Sequence, residues 1–154
     1  MAYFTGLIPD GAINRIDDTD KYGVMSQKQD NAGNIYIYLK GVASTLANSV
    51  VTYDELGVSS LLAANAIGPV AIAQAAIVAD KYGWYLICGS SLVQTNGDVA
   101  DNGLVYATAT GGKVDDAVVA GDRIKNALFR AAGTGATTVL AQVWYPFMDD
   151  ASAA

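Results

Sequence analysis

The chain has 154 residues, of which 52% are hydrophobic and only 16% are charged, and its formal net charge is −6. This length suits one ordinary domain with its own core, and the negative charge argues against a nucleic-acid or anionic-membrane partner. No stretch reaches the roughly 18 consecutive apolar residues of a membrane span. The surplus of apolar side chains therefore predicts a subunit interface, because large apolar patches are rare on monomers.

Histidine is absent from the composition, and the one cysteine, Cys88, excludes an internal disulfide. Without histidine the commonest general base, the Ser-His-Asp and Cys-His systems and nearly every catalytic zinc arrangement are lost. Cys88 lies in an apolar run and is interpreted as a small buried hydrophobe. The spacing of Asp98, Asp101 and Asn102 does not match an EF-hand calcium loop. We expect no catalytic residue, no cofactor and no metal site.

Residues 1–34 differ from the rest of the chain because they show no sustained helical or strand periodicity. Their glycines, a proline and an acidic run predict an extended arm with one short strand near residues 22–25. The N-terminus lacks the basic and apolar regions of a signal peptide, so we expect synthesis in a cytoplasm. The apolar residues that would hold the arm on a surface, its own or a neighbour's, are Tyr3, Phe4, Leu7, Ile8, Ile13 and Ile16.

The first strong strand pattern is Ile-Tyr-Ile-Tyr-Leu-Lys at residues 35–40. Its alternation places aliphatic side chains on one face and Tyr36 and Tyr38 on the other. Neither face is charged before Lys40, which predicts a strand covered on both sides, and an interface is one way to cover the second. Residues 50–53 predict a further short strand.

Residues 68–93 contain two apolar runs and can be interpreted as an alanine-rich helix or as a β-hairpin. Alanine favours a helix, but Gly68-Pro69 can only begin one, and the β-branched residues that follow do not keep a helical stripe. The second run is rich in strand formers, and residues 80–83 make a plausible turn. We therefore predict two antiparallel strands, with alanines where another layer approaches closely.

Further strands are predicted at residues 104–107 and 126–131 and as a long strand over 137–145, ended by Pro146. Many short strands with frequent turns indicate an all-β fold, a small β-barrel or β-sandwich of tulip or jelly-roll type with at most short helices. The predicted organisation is an arm over residues 1–34, a β domain over 35–148 and a flexible tail over 149–154.

The order of several short segments resembles that of the decoration, or cement, proteins of tailed-bacteriophage capsids. The resemblance covers roughly residues 35–148, and its motifs are structural: small, turn and core residues rather than an active site. The segments that carry it are Gly68-Pro69-Val70-Ala71-Ile72-Ala73, Tyr82-Gly83-Trp84-Tyr85, Gly103-Leu104-Val105-Tyr106, Gly121-Asp122-Arg123-Ile124 and Tyr145-Pro146.

The resemblance implies a non-enzymatic virion protein, commonly a homotrimer, that binds the major capsid protein on the outside of the expanded head. We expect it to stabilise the head by bridging capsomers, with the arm residues named above contacting the capsid. Aromatic residues dominate interface hot spots. The residues expected to mediate self-association are Tyr36, Tyr38, Trp84 and Trp144.

The alternative is a carbohydrate-binding β-sandwich module of a phage tail or fibre. Nine tyrosines, two tryptophans and the low charge favour it, since sugars stack on aromatic rings. The position of the aromatics within apolar strands argues against it. A hydrolase is the third and least favoured interpretation.

Overall fold

The computed structural model describes residues 13–149 of the chain. This part is all-β: eleven strands form one sheet that is not closed into a barrel and has a sandwich-like fold, and every pairing between strands is antiparallel. The all-β prediction is confirmed. The strands are β1 (Ile16–Asp17), β2 (Gln27–Gln29), β3 (Ile35–Lys40), β4 (Val50–Tyr53), β5 (Ser59–Leu61), β6 (Ile67–Ala73), β7 (Tyr82–Gln94), β8 (Leu104–Ala107), β9 (Val114–Asp115), β10 (Arg123–Phe129) and β11 (Thr138–Asp149).

Strand β3 shows how the sequence alternation divides the interior into two cores. Tyr36 and Tyr38 face the larger core, whereas Ile37 and Leu39 face a smaller one on the other side of the sheet. The prediction of a strand covered on both sides is confirmed. The cover comes from the chain itself, because β3 is hydrogen-bonded between β2 and β7 and both its faces are packed.

The segment 68–93 is a hairpin, as predicted, formed by β6 and β7 with Ile72 opposite Leu86. The strands begin and end differently from the expectation: residues 74–81 form the connection, and β7 already includes Tyr82 and Gly83. Asp80 adopts a left-handed φ of 60°, a conformation in which short polar residues are the most tolerated after glycine. Ala71 and Ala73 are fully buried, which agrees with the predicted close approach of another layer.

A bulge in β7 explains a wrong expectation about Cys88. Ile35 of β3 pairs with Cys88 but Tyr36 pairs with Leu86, so β7 carries one extra residue at this point. The extra residue shifts the alternation, and the following residues of β7 change faces. Cys88 consequently lies half-buried on the outside of the sheet rather than in the core.

Strand β11 is longer than predicted because it continues through Pro146. Its first part, residues 138–144, pairs with β7, and residues 147–149 pair with β6. Between these parts Tyr145 has a left-handed φ of 53°, and the register with β10 shifts across the same residues. Pro146, which has no N–H to donate, is tolerated because it lies in this irregular stretch.

Residues 13–34 are attached to the sheet at two points. Strand β1 pairs with the start of β7, and β2 pairs with β3. The short strand predicted near residues 22–25 is displaced to 27–29, because Gly23 and Met25 have positive φ values that interrupt an extended chain. The tail predicted over 149–154 falls outside the described residues except for Asp149, which ends β11.

Gly41 packs closely against residues 74–81, the loop that connects the two strands of the hairpin. A Cβ at this position would overlap the backbone carbonyl oxygens of Ile77 and Val78. We expect Gly41→Ala to lower the free energy of unfolding by about 1–3 kcal/mol, the usual cost of overpacking. Urea denaturation measures it. Gly97→Ala is the matched control, because its Cβ would meet no atom within 4 Å; equal losses in both variants would contradict the packing described.

Candidate interaction surface

The outside of strands β7, β11, β10 and β8 forms a continuous surface, which we call the outer face. The opposite side of the same strands supplies Val93, Val139 and Val143 to the larger core. Because side chains alternate along a strand, the intervening residues point away from that core. The outer-face positions are Cys88, Ser90, Leu92, Gln94, Leu104, Leu128, Thr138, Leu140, Gln142 and Trp144.

The outer face combines leucines with uncharged polar side chains. Leu140 lies directly opposite Leu92, and Leu128 lies opposite Leu104, so the leucines form two cross-strand pairs. Leu92, Leu104 and Leu140 are each more than a third exposed. The ten positions named above are uncharged, but basic residues border them on the same side of the sheet. These are Arg123 and Lys125 of β10, and Arg130, whose backbone N–H donates to the carbonyl oxygen of Leu140. The outer face therefore offers a partner an uncharged patch with a basic border.

The bend in β11 places aromatic side chains at one end of the outer face. Trp144 is 41% exposed and Tyr145 is 55% exposed, and Phe147 follows after the proline. Trp144 lies opposite Cys88, whose other neighbour across the sheet is Ile35. The exposed indole is thus one strand away from the apolar side chain of Ile35.

A cleft of about 180 Å³ lies next to this aromatic end. We call it the tyrosine cleft, and its lining residues are Gln27, Lys28, Gln29, Ile35 and Tyr145. A larger groove of about 600 Å³ lies between β6 and the β4–β5 turn. In that groove Asp54 accepts hydrogen bonds from the backbone N–H groups of Leu56 and Val58, so this carboxylate serves the turn itself.

Three of the four residues expected to mediate self-association are buried within the chain. Trp84 and Tyr38 are 0% exposed and Tyr36 is 3% exposed, so they present no surface to a second copy. They are buried because the sheet folds over the face of β3 that carries the tyrosines. Trp144 alone of the four is exposed. The structure therefore separates Trp144, on the outer face, from the other three, in the core.

Of the six residues expected to contact the capsid, the structure describes two, Ile13 and Ile16. Ile13 packs against the larger core, and Ile16 is 45% exposed while its backbone pairs with Gly83. The remaining four lie outside the described residues: Tyr3, Phe4, Leu7 and Ile8.

The residues that follow Ile13 are held by a buried network centred on Asp17. Its carboxylate accepts hydrogen bonds from Arg15 at 2.8 Å and from the Tyr38 hydroxyl at 2.6 Å. Burial by itself would raise the pKa of Asp17, but these two donors outweigh it and hold the pKa below its ordinary value. Burial, with the bond to Asp17, raises the pKa of Tyr38 well above its usual range.

An aromatic cluster surrounds this network. The Tyr38 ring lies 5.0 Å from that of Trp84 and 5.3 Å from that of Tyr22, between ring centroids. Arg15 donates a hydrogen bond to the Tyr22 hydroxyl at 3.0 Å. Tyr38 and Trp84, which were predicted to mediate self-association, thus belong to an internal cluster that fixes residues 15–22 against the sheet.

The leucines of the outer face and Tyr145 are surface residues that the sequence pattern did not predict. The signal was present in the last strand, where Leu140 and Trp144 alternate with Val139 and Val143. That alternation indicates which residues share a face of the strand. It does not indicate whether another element packs against that face.

Comparison of the chain with protein-family models, with curated proteins and with solved structures gives no match. Within residues 13–149 no three potential ligands among Cys, Asp and Glu stand close enough to hold a metal ion together. The same part of the chain contains no helix long and apolar enough to cross a membrane.

Asp17 makes the stability of this region depend on pH. Its pKa is depressed in the folded state, so its stabilising contribution is present above the unfolded value of about 4 and is lost as the pH falls through the folded value. We expect Asp17→Asn to lower the free energy of unfolding at pH 7 by about 1–3 kcal/mol, and the difference from the wild type to shrink at pH 2–3.

Urea denaturation at the two pH values measures this, with Asp18→Asn as the control. The Asp18 side chain is 84% exposed and pairs with Lys81 at the surface, so its loss should change stability by less than about 1 kcal/mol. If Asp17→Asn lowers the free energy of unfolding by the same amount at both pH values, the Asp17 carboxylate does not stabilise the fold through its charge.

Proposed function

We propose that this chain is a non-enzymatic structural protein of a phage virion, which binds the outer capsid surface as an oligomer and stabilises the expanded head by bridging capsomers. The observation that carries the proposal is the outer face: an exposed sheet surface on which two leucine pairs and Trp144 form an uncharged patch. The segments that resemble capsid decoration proteins support it from the sequence. On this proposal the protein is made in the host cytoplasm and resides on the capsid exterior.

The stabilising mechanism is thermodynamic. A protein that binds the assembled lattice and not the free subunits stabilises the lattice by mass action, by about 2.7 kcal/mol per site at a concentration 100 times its dissociation constant. An oligomer that contacts several capsomers at once gains further affinity, because its second and third contacts are intramolecular. The major capsid protein is the partner, and neither step needs a catalytic group.

The outer face is the proposed surface for self-association, with a homotrimer as the expected oligomer. Two copies that each carry a charge of −6 repel one another, and they repel least where neither presents charged side chains. The leucine pairs supply apolar area for the contact, and Trp144 supplies the aromatic anchor that interface hot spots favour.

Leu140→Asp tests this surface. It places a charge in the middle of the outer face of every copy, and we expect it to weaken self-association at least about tenfold. Size-exclusion chromatography with light scattering measures the effect, and circular dichroism confirms folding. Leu56→Asp is the control, because Leu56 is 72% exposed in the β4–β5 turn, away from the outer face. A folded Leu140→Asp variant with wild-type oligomers would contradict the proposed surface.

The arm is the proposed capsid contact, and the structure defines how much of it can be removed. Ile13 packs on the core and Asp17 bonds to Tyr38, so a deletion that reaches these residues would also destabilise the domain. Deleting residues 2–12 avoids both. We expect this deletion to abolish co-sedimentation with expanded capsids of the parent phage while the oligomer stays folded. Unchanged co-sedimentation would contradict the capsid-contact role of the arm.

A further inference from the structure

The tyrosine cleft combines an aromatic ring with two amide side chains. Gln27 and Gln29 come from β2, and Tyr145 comes from the bend of β11, so two segments far apart in sequence form its walls. Gln29 pairs with Ile35 across the β2–β3 ladder, and both therefore lie on the same side of the sheet. Trp144, which precedes Tyr145 in the chain, is exposed on the outer face and does not line the cleft.

The polar groups of the cleft are not used by the fold. Within residues 13–149, the side chains of Gln27, Gln29 and Tyr145 make no hydrogen bond to another residue, and Lys28 makes no ion pair. Two amides offer both donors and acceptors, and the phenol hydroxyl offers one of each. The cleft therefore presents several hydrogen-bonding groups around an apolar ring, which is the usual composition of a small-molecule site.

The backbone at Tyr145 adopts a conformation that has an energetic cost. A left-handed φ of 53° is unusual for a bulky aromatic residue, and such conformations persist where the surrounding structure imposes them. Here the neighbouring register shift and Pro146 impose it. The result is an exposed tyrosine carried by the bend of a strand rather than by a loop.

We propose that the tyrosine cleft binds a pyranose ring of a saccharide. A sugar ring has an apolar face that stacks on an aromatic side chain and a rim of hydroxyls that bond to amides. The cleft volume of about 180 Å³ suits a single ring rather than a larger ligand.

This site is separate from the proposed virion role. Saccharide binding needs only Tyr145 and residues of β2, whereas self-association is assigned to the leucine pairs of the outer face. The saccharide titration uses the protein without capsids. Its outcome therefore does not depend on capsid binding or on whether Leu140→Asp weakens self-association.

The test is NMR titration of the full-length ¹⁵N-labelled protein with glucose, galactose, N-acetylglucosamine and glucuronic acid oligosaccharides. We expect at least one to shift the side-chain amide signals of Gln27 and Gln29 and the backbone signal of Tyr145 in a saturable way. Tyr145→Asn keeps a residue that tolerates the left-handed backbone but removes the ring, and should weaken binding at least about tenfold. Tyr145→Phe, which keeps the ring, should retain most of the affinity.

Phe147→Ala is the matched control, since Phe147 is an exposed aromatic of the same strand outside the cleft lining, and it should bind like the wild type. The proposal is overturned if no saccharide shifts the cleft signals at 20 mM, if Tyr145→Asn binds as tightly as the wild type, or if the shifts map to another surface.

Discussion

The structure depends on the burial of both faces of β7 where it passes β3 and β6. Trp84 and Leu86 lie in the larger core, and Tyr85 and Ile87 lie in the smaller one. Strands β1, β3, β6 and β11 all pair with β7, so a change in its register would move residues of both cores at once. The bulge at Cys88 is the point at which this two-sided burial ends and β7 begins to carry an exposed face.

Two of the irregular points of the sheet, in β7 and in β11, produce the surfaces to which we assign function. The bulge turns Cys88 outward, and the bend at Tyr145 allows β11 to leave β7 and pair with β6. Bulges re-aim side chains and are frequent near functional sites. In this chain they place Trp144 on the outer face and Tyr145 in a cleft, so the proposed contact with other copies and the proposed saccharide site lie side by side.

The aromatic residues illustrate why a composition rich in tyrosine does not identify an interface. Tyr38 and Trp84 stabilise the attachment of the N-terminal residues through ring packing and the bond to Asp17. Trp144 has the same chemistry, but no element within residues 13–149 buries it. The difference between these positions is one of tertiary contact, and it changes which residues a mutational study of self-association should target.

The all-β class, the alternating faces of residues 35–40 and the hairpin at 68–93 can all be predicted from the amino-acid sequence, because β-branched residues and side-chain alternation act locally. The strands at 50–53 and 104–107 are also predicted correctly. Three features depend on the folded chain instead: which faces are covered, the outward position of Cys88 and the continuation of β11 through Pro146. These outcomes depend on pairing between residues distant in the chain, and local sequence patterns do not predict which strands lie next to one another.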